Sequence, residues 1–183
     1  MKRIVLLMLA FLLSGCLGVQ NVKYTYNSPE LDDSNSGIIL GSAYDGSGLT
    51  FINIATREEI KYIAADVYCI RLPDGMYALH LIGGRRYPFG SNDPFVFEVK
   101  AGETKYVGSM AKMWRYPAGY FRNYKYKVKG YQFDFRWTES GPLKLSGDPF
   151  EIGIVDDLND VKGRYSKDCP GLDFSDIKIG VME

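Results

Sequence analysis

Two rhythms of apolar residues divide this chain of 183 residues. Residues 4–13 form an unbroken apolar run of ten. From Ile38 onward, apolar positions come in short stretches, many of them alternating with polar ones and separated by turn residues. That is the rhythm of half-buried strands. Residues 38–44 and 49–54 flank Asp45-Gly46-Ser47-Gly48, a composition suited to a hairpin. Strands over 60–64 and 67–72 follow. Leu72-Pro73-Asp74-Gly75 predicts a turn, because proline presets φ and glycine takes positive φ at no steric cost. Beyond it, Tyr77, Leu79 and Leu81 share one face and His80 takes the other. Phe95, Phe97 and Val99 alternate again, and Ala101-Gly102-Glu103 turns the chain into a strand over 104–110.

In the stretch 124–137, Tyr124, Tyr126 and Val128 share one parity, while Tyr131, Phe133, Phe135 and Trp137 share the other. A two-residue turn at Lys129-Gly130 would place both sets on one face of a hairpin, aromatics inward and lysines outward, with Lys125 opposite Asp134. A bulge in one long strand is the alternative. Residues 150–155 read as a further strand. Asp156 can cap a short helix reaching about Tyr165, since Leu158, Val161 and Tyr165 fall on one helical face. Ile177, Ile179 and Val181 alternate as a last edge strand. The pattern therefore predicts a mainly β fold over residues 38–183, a single antiparallel β-sandwich with one short C-terminal helix.

The first apolar run has a different meaning. Lys2 and Arg3 precede it, and Ser14 and Gly15 follow it. A charged start, a short apolar core and small residues describe a secretory signal. The run is too short for an ordinary spanning helix, which needs roughly 20 apolar residues. Leu13-Ser14-Gly15-Cys16 resembles the lipobox of bacterial lipoproteins at all four positions. The resemblance implies that residues 1–15 are removed and that the Cys16 thiol takes a lipid, making the membrane a partner through Cys16. An ordinary signal peptide with a chance cysteine is the alternative. Two acyl chains are enough for stable anchoring. Position 17 is Leu rather than the Asp that resembles an inner-membrane retention signal. This points to the cell envelope, and to the outer membrane if the source is Gram-negative. Residues 16–37, with the polar cluster Asp32-Asp33-Ser34-Asn35-Ser36-Gly37, read as the lipidated cysteine and a flexible tether.

Composition narrows the remaining choices. Without Lys2 and Arg3 the chain carries 20 basic and 22 acidic residues, so no basic excess invites nucleic acid. The 14 Tyr and 10 Phe supply ample core material. Cys69 and Cys169 remain once Cys16 is lipidated. Outside the cytosol they are a candidate disulfide, the alternative being two separate thiols.

Leu72-Pro73-Asp74-Gly75-Met76-Tyr77 with its alternating strand resembles the turn-and-strand of transthyretin-like and carboxypeptidase-regulatory-like β-sandwiches. Phe95-Val96-Phe97-Glu98-Val99-Lys100-Ala101-Gly102-Glu103, then Tyr106-Val107-Gly108, adds to it. The resemblance spans roughly residues 38–165. It implies a transthyretin-like or immunoglobulin-like sandwich in a small bacterial lipoprotein, and it supplies no catalytic residue.

Chemistry is sparse. His80, the one histidine, reads as an exposed strand residue. No nucleophile elbow, dinucleotide fingerprint or phosphate loop occurs, and no cofactor is implied. Asp156, Asp157, Asn159 and Asp160 lack the glycine turn and distal glutamate of a helix-loop-helix calcium site, so no metal is assigned to them. Residues 112–137 hold seven Lys or Arg, one acid and ten aromatics. Within them Trp114, Arg115, Tyr116, Tyr120, Phe121 and Arg122 break the period-two pattern around Pro117-Ala118-Gly119. They are the candidate partner-binding loop, with rings as anchors and arginines at the rim. The sequence thus reads as a lipid-anchored, non-catalytic binding or assembly module with a protein or glycan partner. An envelope hydrolase acting on glycan or peptide is the alternative.

Overall fold

The computed structural model describes residues 24–44, 48–62, 67–82, 85–86, 94–131, 135–138, 141–144 and 150–183. The signal segment, Cys16 and the first part of the tether lie outside them, as do the proposed partners Phe133 and Asp134. Among the described residues the chain is mainly β, with two principal sheets and one short helix.

The larger sheet contains β1 (Ser36–Ala43), β4 (Val67–Pro73), β8 (Thr104–Lys112), β12 (Phe150–Asp156) and β9 (Lys125–Tyr131). Their order is β4-β1-β8-β12-β9, and β13 (Lys178–Ile179) also pairs with β8. The smaller sheet orders β3 (Glu59–Tyr62), β2 (Leu49–Asn53), β5 (Gly75–Ile82) and β6 (Arg85–Arg86), with β7 (Val96–Val99) on the other edge of β5. A ribbon of β10 (Phe135–Thr138) and β11 (Gly141–Lys144) stands apart from both sheets. Pairings are antiparallel except β1 with β8 and β13 with β8.

The two sheets share one apolar core. Ile39, Ile70, Val107 and Ile154 of the larger sheet belong to the same cluster as Phe51, Tyr77, Leu79, Phe97 and Val99 of the smaller. Gly41 lets this core close. A Cβ there would stand 2.1 Å from the Tyr68 hydroxyl. Every residue of β1 is buried, because both faces of the larger sheet are covered. Ile38, Leu40 and Cys69 face outward into a second cluster with Val161, Tyr165 and Cys169. A disulfide joins Cys69 to Cys169, with Cα atoms 6.0 Å apart. Residues 181–183 tie the two sheets at one edge. Met182 donates its amide to the Val107 carbonyl at 3.1 Å, and Glu183 and Val96 exchange backbone hydrogen bonds at 3.0 and 2.8 Å.

Three expectations need correction. First, β1 and β2 form no hairpin: β1 belongs to the larger sheet and β2 to the smaller, and residues 45–47 of the expected turn lie outside the described residues. Second, the hairpin at Lys129-Gly130 is absent. β9 runs through both residues, pairing Lys129 with Ile152, Gly130 with Glu151 and Lys125 with Asp156. Tyr126 and Val128 point outward and are exposed. The inward parity carries lysines because β9 is the end strand and overhangs the margin of the sandwich. There Lys127 reaches Glu183 at 3.1 Å, and Lys129 lies over the Phe95 ring with its ammonium donating to the Pro94 carbonyl. Third, the tether is not free as far as residue 37. Tyr24 joins the main core, Arg71 pairs with Asp33 at 2.7 Å, and β1 starts at Ser36.

Among the described residues no helix is long and apolar enough to cross a membrane.

Candidate functional site

The outer face of the larger sheet is covered by two separate pieces of chain. Over β4, β1 and the first half of β8 lies the segment from α1 (Leu158–Val161) to about residue 177. Leu158, Val161 and Tyr165 do share one face, all packed into the outer cluster. The capping residue is Asp157 rather than Asp156, and its side chain makes no capping bond. Over β8, β12 and β9 lies the loop 113–124. It starts with a 3₁₀ turn, Met113–Arg115, and continues through turns closed by Tyr120 N–H to Pro117 O, Arg122 N–H to Gly119 O and Tyr124 N–H to Phe121 O.

The candidate loop residues divide by burial. Phe121 is 2% exposed and packs with Ala111 and Val155 on the sheet. Its ring lies 5.1 Å from Tyr44, 5.1 Å from Tyr116, 4.9 Å from Tyr120 and 6.3 Å from Tyr126. Tyr116 is half-buried. Trp114 and Tyr120 are 46% and 53% exposed, and Arg115 and Arg122 are exposed at the rim. Phe121 is thus a foundation rather than a contact residue, and the outward ring of Tyr120 rests on it.

Between the two covers is a cleft of about 490 Å³. Tyr120, Asn123 and Tyr124 line it from the loop, Asp160 and Arg164 from the helical side, and Ser42, Tyr44 and Asp157 also border it. Asp157 is only 4% exposed, and its carboxylate is the focus of a hydroxyl network. Tyr44 donates to its Oδ2 at 2.8 Å, Ser109 donates to its Oδ1 at 2.5 Å, and Tyr106 donates to the same Oδ1. Ser42 in turn donates to Ser109 at 2.5 Å. Three hydroxyl donors replace the water this carboxylate loses on burial, which is the condition for taking such a polar group out of solvent. Burial first, and Asp157 next, push the Tyr44 and Tyr106 hydroxyls far above the usual tyrosine range, so both remain protonated donors.

A bulge in β8 builds this network. The register of β1 against β8 shifts between Leu40–Tyr106 and Ser42–Ser109. The extra residue sits at Val107-Gly108, so Ser109 faces the same side as Tyr106 instead of alternating with it. Gly108 has φ +100°, and a Cβ there would lie 2.4 Å from Ile154. None of Ser42, Tyr44, Tyr106, Ser109 or Asp157 was singled out by the sequence as a site residue. The one signal available was a glycine inside an alternating strand, which marks a bulge.

At the mouth of the cleft, Tyr124 donates to Asp160 at 2.7 Å, a bond from one cover to the other. That bond raises the Tyr124 pKa above its ordinary value. His80 lies elsewhere, on β5 of the smaller sheet: its side chain is mostly buried rather than exposed, and its Nε2 is 3.3 Å from Glu59 of β3 in the same sheet. Among the described residues no three His, Cys, Asp or Glu cluster as a metal site would require. The chain matches no known protein family, no curated protein and no solved structure. Its function is therefore read from its own chemistry.

Proposed function

We propose that the protein is a lipid-anchored, non-catalytic binding module of a bacterial cell envelope, held to the membrane through Cys16, with the loop 113–124 as its contact face. The observation that carries this is the division of labour inside the loop. Phe121 is buried against the sheet while Trp114 and Tyr120 are turned to solvent. Rings pinned from below lose little freedom on binding, and large aromatics are the usual anchors of an interface. The exposed side chains of Tyr126 and Val128 on β9 continue the same apolar surface. The anchor half of the reading rests on the lipobox-like Leu13-Ser14-Gly15-Cys16 behind a short apolar run.

The runner-up is an envelope hydrolase acting on glycan or peptide, favoured by the two carboxylates in the cleft. Its weakness is their placement. A glycosidase pair flanks the scissile bond. Asp157 and Asp160 come from a single helical turn, and both Asp157 oxygens already accept hydroxyl hydrogen bonds.

Two experiments test the proposal. Labelled palmitate should enter the wild-type chain and not Cys16→Ala. Pull-down from detergent-solubilised envelopes should retain a partner that the Trp114→Ala/Tyr120→Ala double variant does not. Equal retention by both proteins would remove the loop from the reading, and labelling of Cys16→Ala would remove the anchor.

A further inference from the structure

We infer that the cleft between the aromatic loop and α1 is a carbohydrate-binding subsite, taking a short, uncharged oligosaccharide. The inference rests on the reading of the chain as a binding module and names the chemistry of its ligand.

The size of the cleft is the first argument. About 490 Å³ falls within the range of small-molecule sites, roughly 300–1,000 Å³. The lining decides the class. An apolar ligand or a lipid chain would need an apolar wall, and here the walls carry hydroxyl, amide, carboxylate and guanidinium groups. A free phosphate or a nucleic acid would meet the carboxylate of Asp160, with that of Asp157 behind it, against the single guanidinium of Arg164, so the acidic groups outnumber the basic one. A polyhydroxylated neutral ring meets neither obstacle.

The wall chemistry is complementary to such a ring. A pyranose has one face of C–H groups that lies flat on an aromatic ring, and Tyr120 offers a ring more than half exposed on the loop side. Opposite it, Asp160 and Arg164 stand one turn apart. A carboxylate accepts at up to four lone-pair positions, and one Asp160 oxygen already takes the Tyr124 hydroxyl. A guanidinium donates in a planar fork. Acceptor and fork together suit adjacent sugar hydroxyls, each of which both donates and accepts. Asn123 adds one more group of each kind. Asp157 lies behind these groups, its oxygens engaged by Tyr44, Tyr106 and Ser109, so it fixes the shape of the site rather than reacting.

The test is isothermal titration of the full chain in detergent with N-acetylglucosamine tetramer, maltotetraose, mannotetraose and cellotetraose. At least one should bind in the millimolar range or tighter. Tyr120→Ala and Asp160→Asn should each weaken it about tenfold, the loss expected for one direct contact of this kind. Lys61→Ala, exposed on β3 of the smaller sheet and away from both the cleft and the loop, should leave it unchanged. Circular dichroism of each variant checks that the sandwich persists. If none of the four probes binds, or if binding survives both cleft substitutions, the inference is overturned. Envelope pull-down separates its failure from that of the wider reading. A partner lost with Trp114→Ala/Tyr120→Ala but no saccharide bound defeats only the subsite, whereas no partner and no saccharide defeats both.

Discussion

The two covers over the outer face of the larger sheet do the same geometric job by different means. The segment from α1 to about residue 177 turns its apolar residues down: Val161, Tyr165 and Cys169 are buried, and Cys169 is bonded to Cys69 of β4. The loop 113–124 has no covalent tie. It is held by one buried ring, Phe121, and by ring contacts around it, while Trp114 and Tyr120 face water. The C-terminal cover is thus fastened covalently, while the loop rests on ring packing and leaves two large rings exposed, the arrangement the proposed contact face would need.

This contrast can be broken or sharpened by measurement. The largest effect should come from Cys69→Ala with Cys169→Ala. The crosslink spans 100 residues, and loop-closure entropy for that length gives about 4.7 kcal/mol. A large fall in the guanidinium midpoint is expected, with the aromatic loop intact below it. An unchanged midpoint would mean that the C-terminal cover holds without its lock. Next comes Phe121→Ala, expected to cost about 3–5 kcal/mol as for other buried phenylalanines. Loss of near-ultraviolet circular dichroism from the tyrosines around it would show the loop collapsing, and a cost below about 1 kcal/mol would deny Phe121 its role as foundation.

Alkaline pH tests the floor between the covers. Buried tyrosines keep their protons longer in the folded chain than in the unfolded one. Burial lifts Tyr77 to about 12, and Tyr44 and Tyr106 go higher still. Above about pH 10 the unfolded chain therefore loses protons that the folded chain retains, and stability falls with rising pH. The contribution of Tyr77 is complete below about pH 10 and declines as pH rises toward about 12. Urea midpoints measured from pH 8 to 11.5 should be level at first and then drop. A level profile throughout would contradict the burial of these hydroxyls. The smallest effect is Trp114→Ala, about 0.5 kcal/mol, because nearly half of the residue is already exposed and it belongs to none of the buried clusters. A larger loss would make the loop a second structural cover and erase the contrast.

Much of the fold was legible in the chain because its cues are local. Tyr77, Leu79, Phe97 and Val99 alternate and do face the core. Gly75 and Gly102 have positive φ in the turns that precede β5 and β8, where Pro73-Asp74 and Ala101 placed them. The helical face of Leu158, Val161 and Tyr165 is visible at its spacing. What failed depended on partners far away in sequence. Nothing local tells Leu49 that β2 joins a different sheet from β1. The parity of Tyr126 and Val128 suggested a buried face, and only the position of β9 at the sheet's end turns that face outward. The loop was found because Pro117-Ala118-Gly119 breaks a rhythm. The cleft was missed because its groups come from the end of β1, the loop 113–124 and the helical segment 157–164, and only Tyr120 among them stood out in the sequence.

That distance has a consequence in time. Tyr44 and Asp157 are 113 residues apart, Ser42 and Ser109 are 67, and Tyr106 and Asp157 are 51. Each contact needs a long loop closed before it returns any stabilisation, and folds dominated by such contacts form slowly. The β2–β3 hairpin and the turn of α1 are local and can form at the outset. Asp157 has all its hydroxyl partners only when β1, β8 and the end of β12 lie together, so the network can be completed only after these distant segments have met.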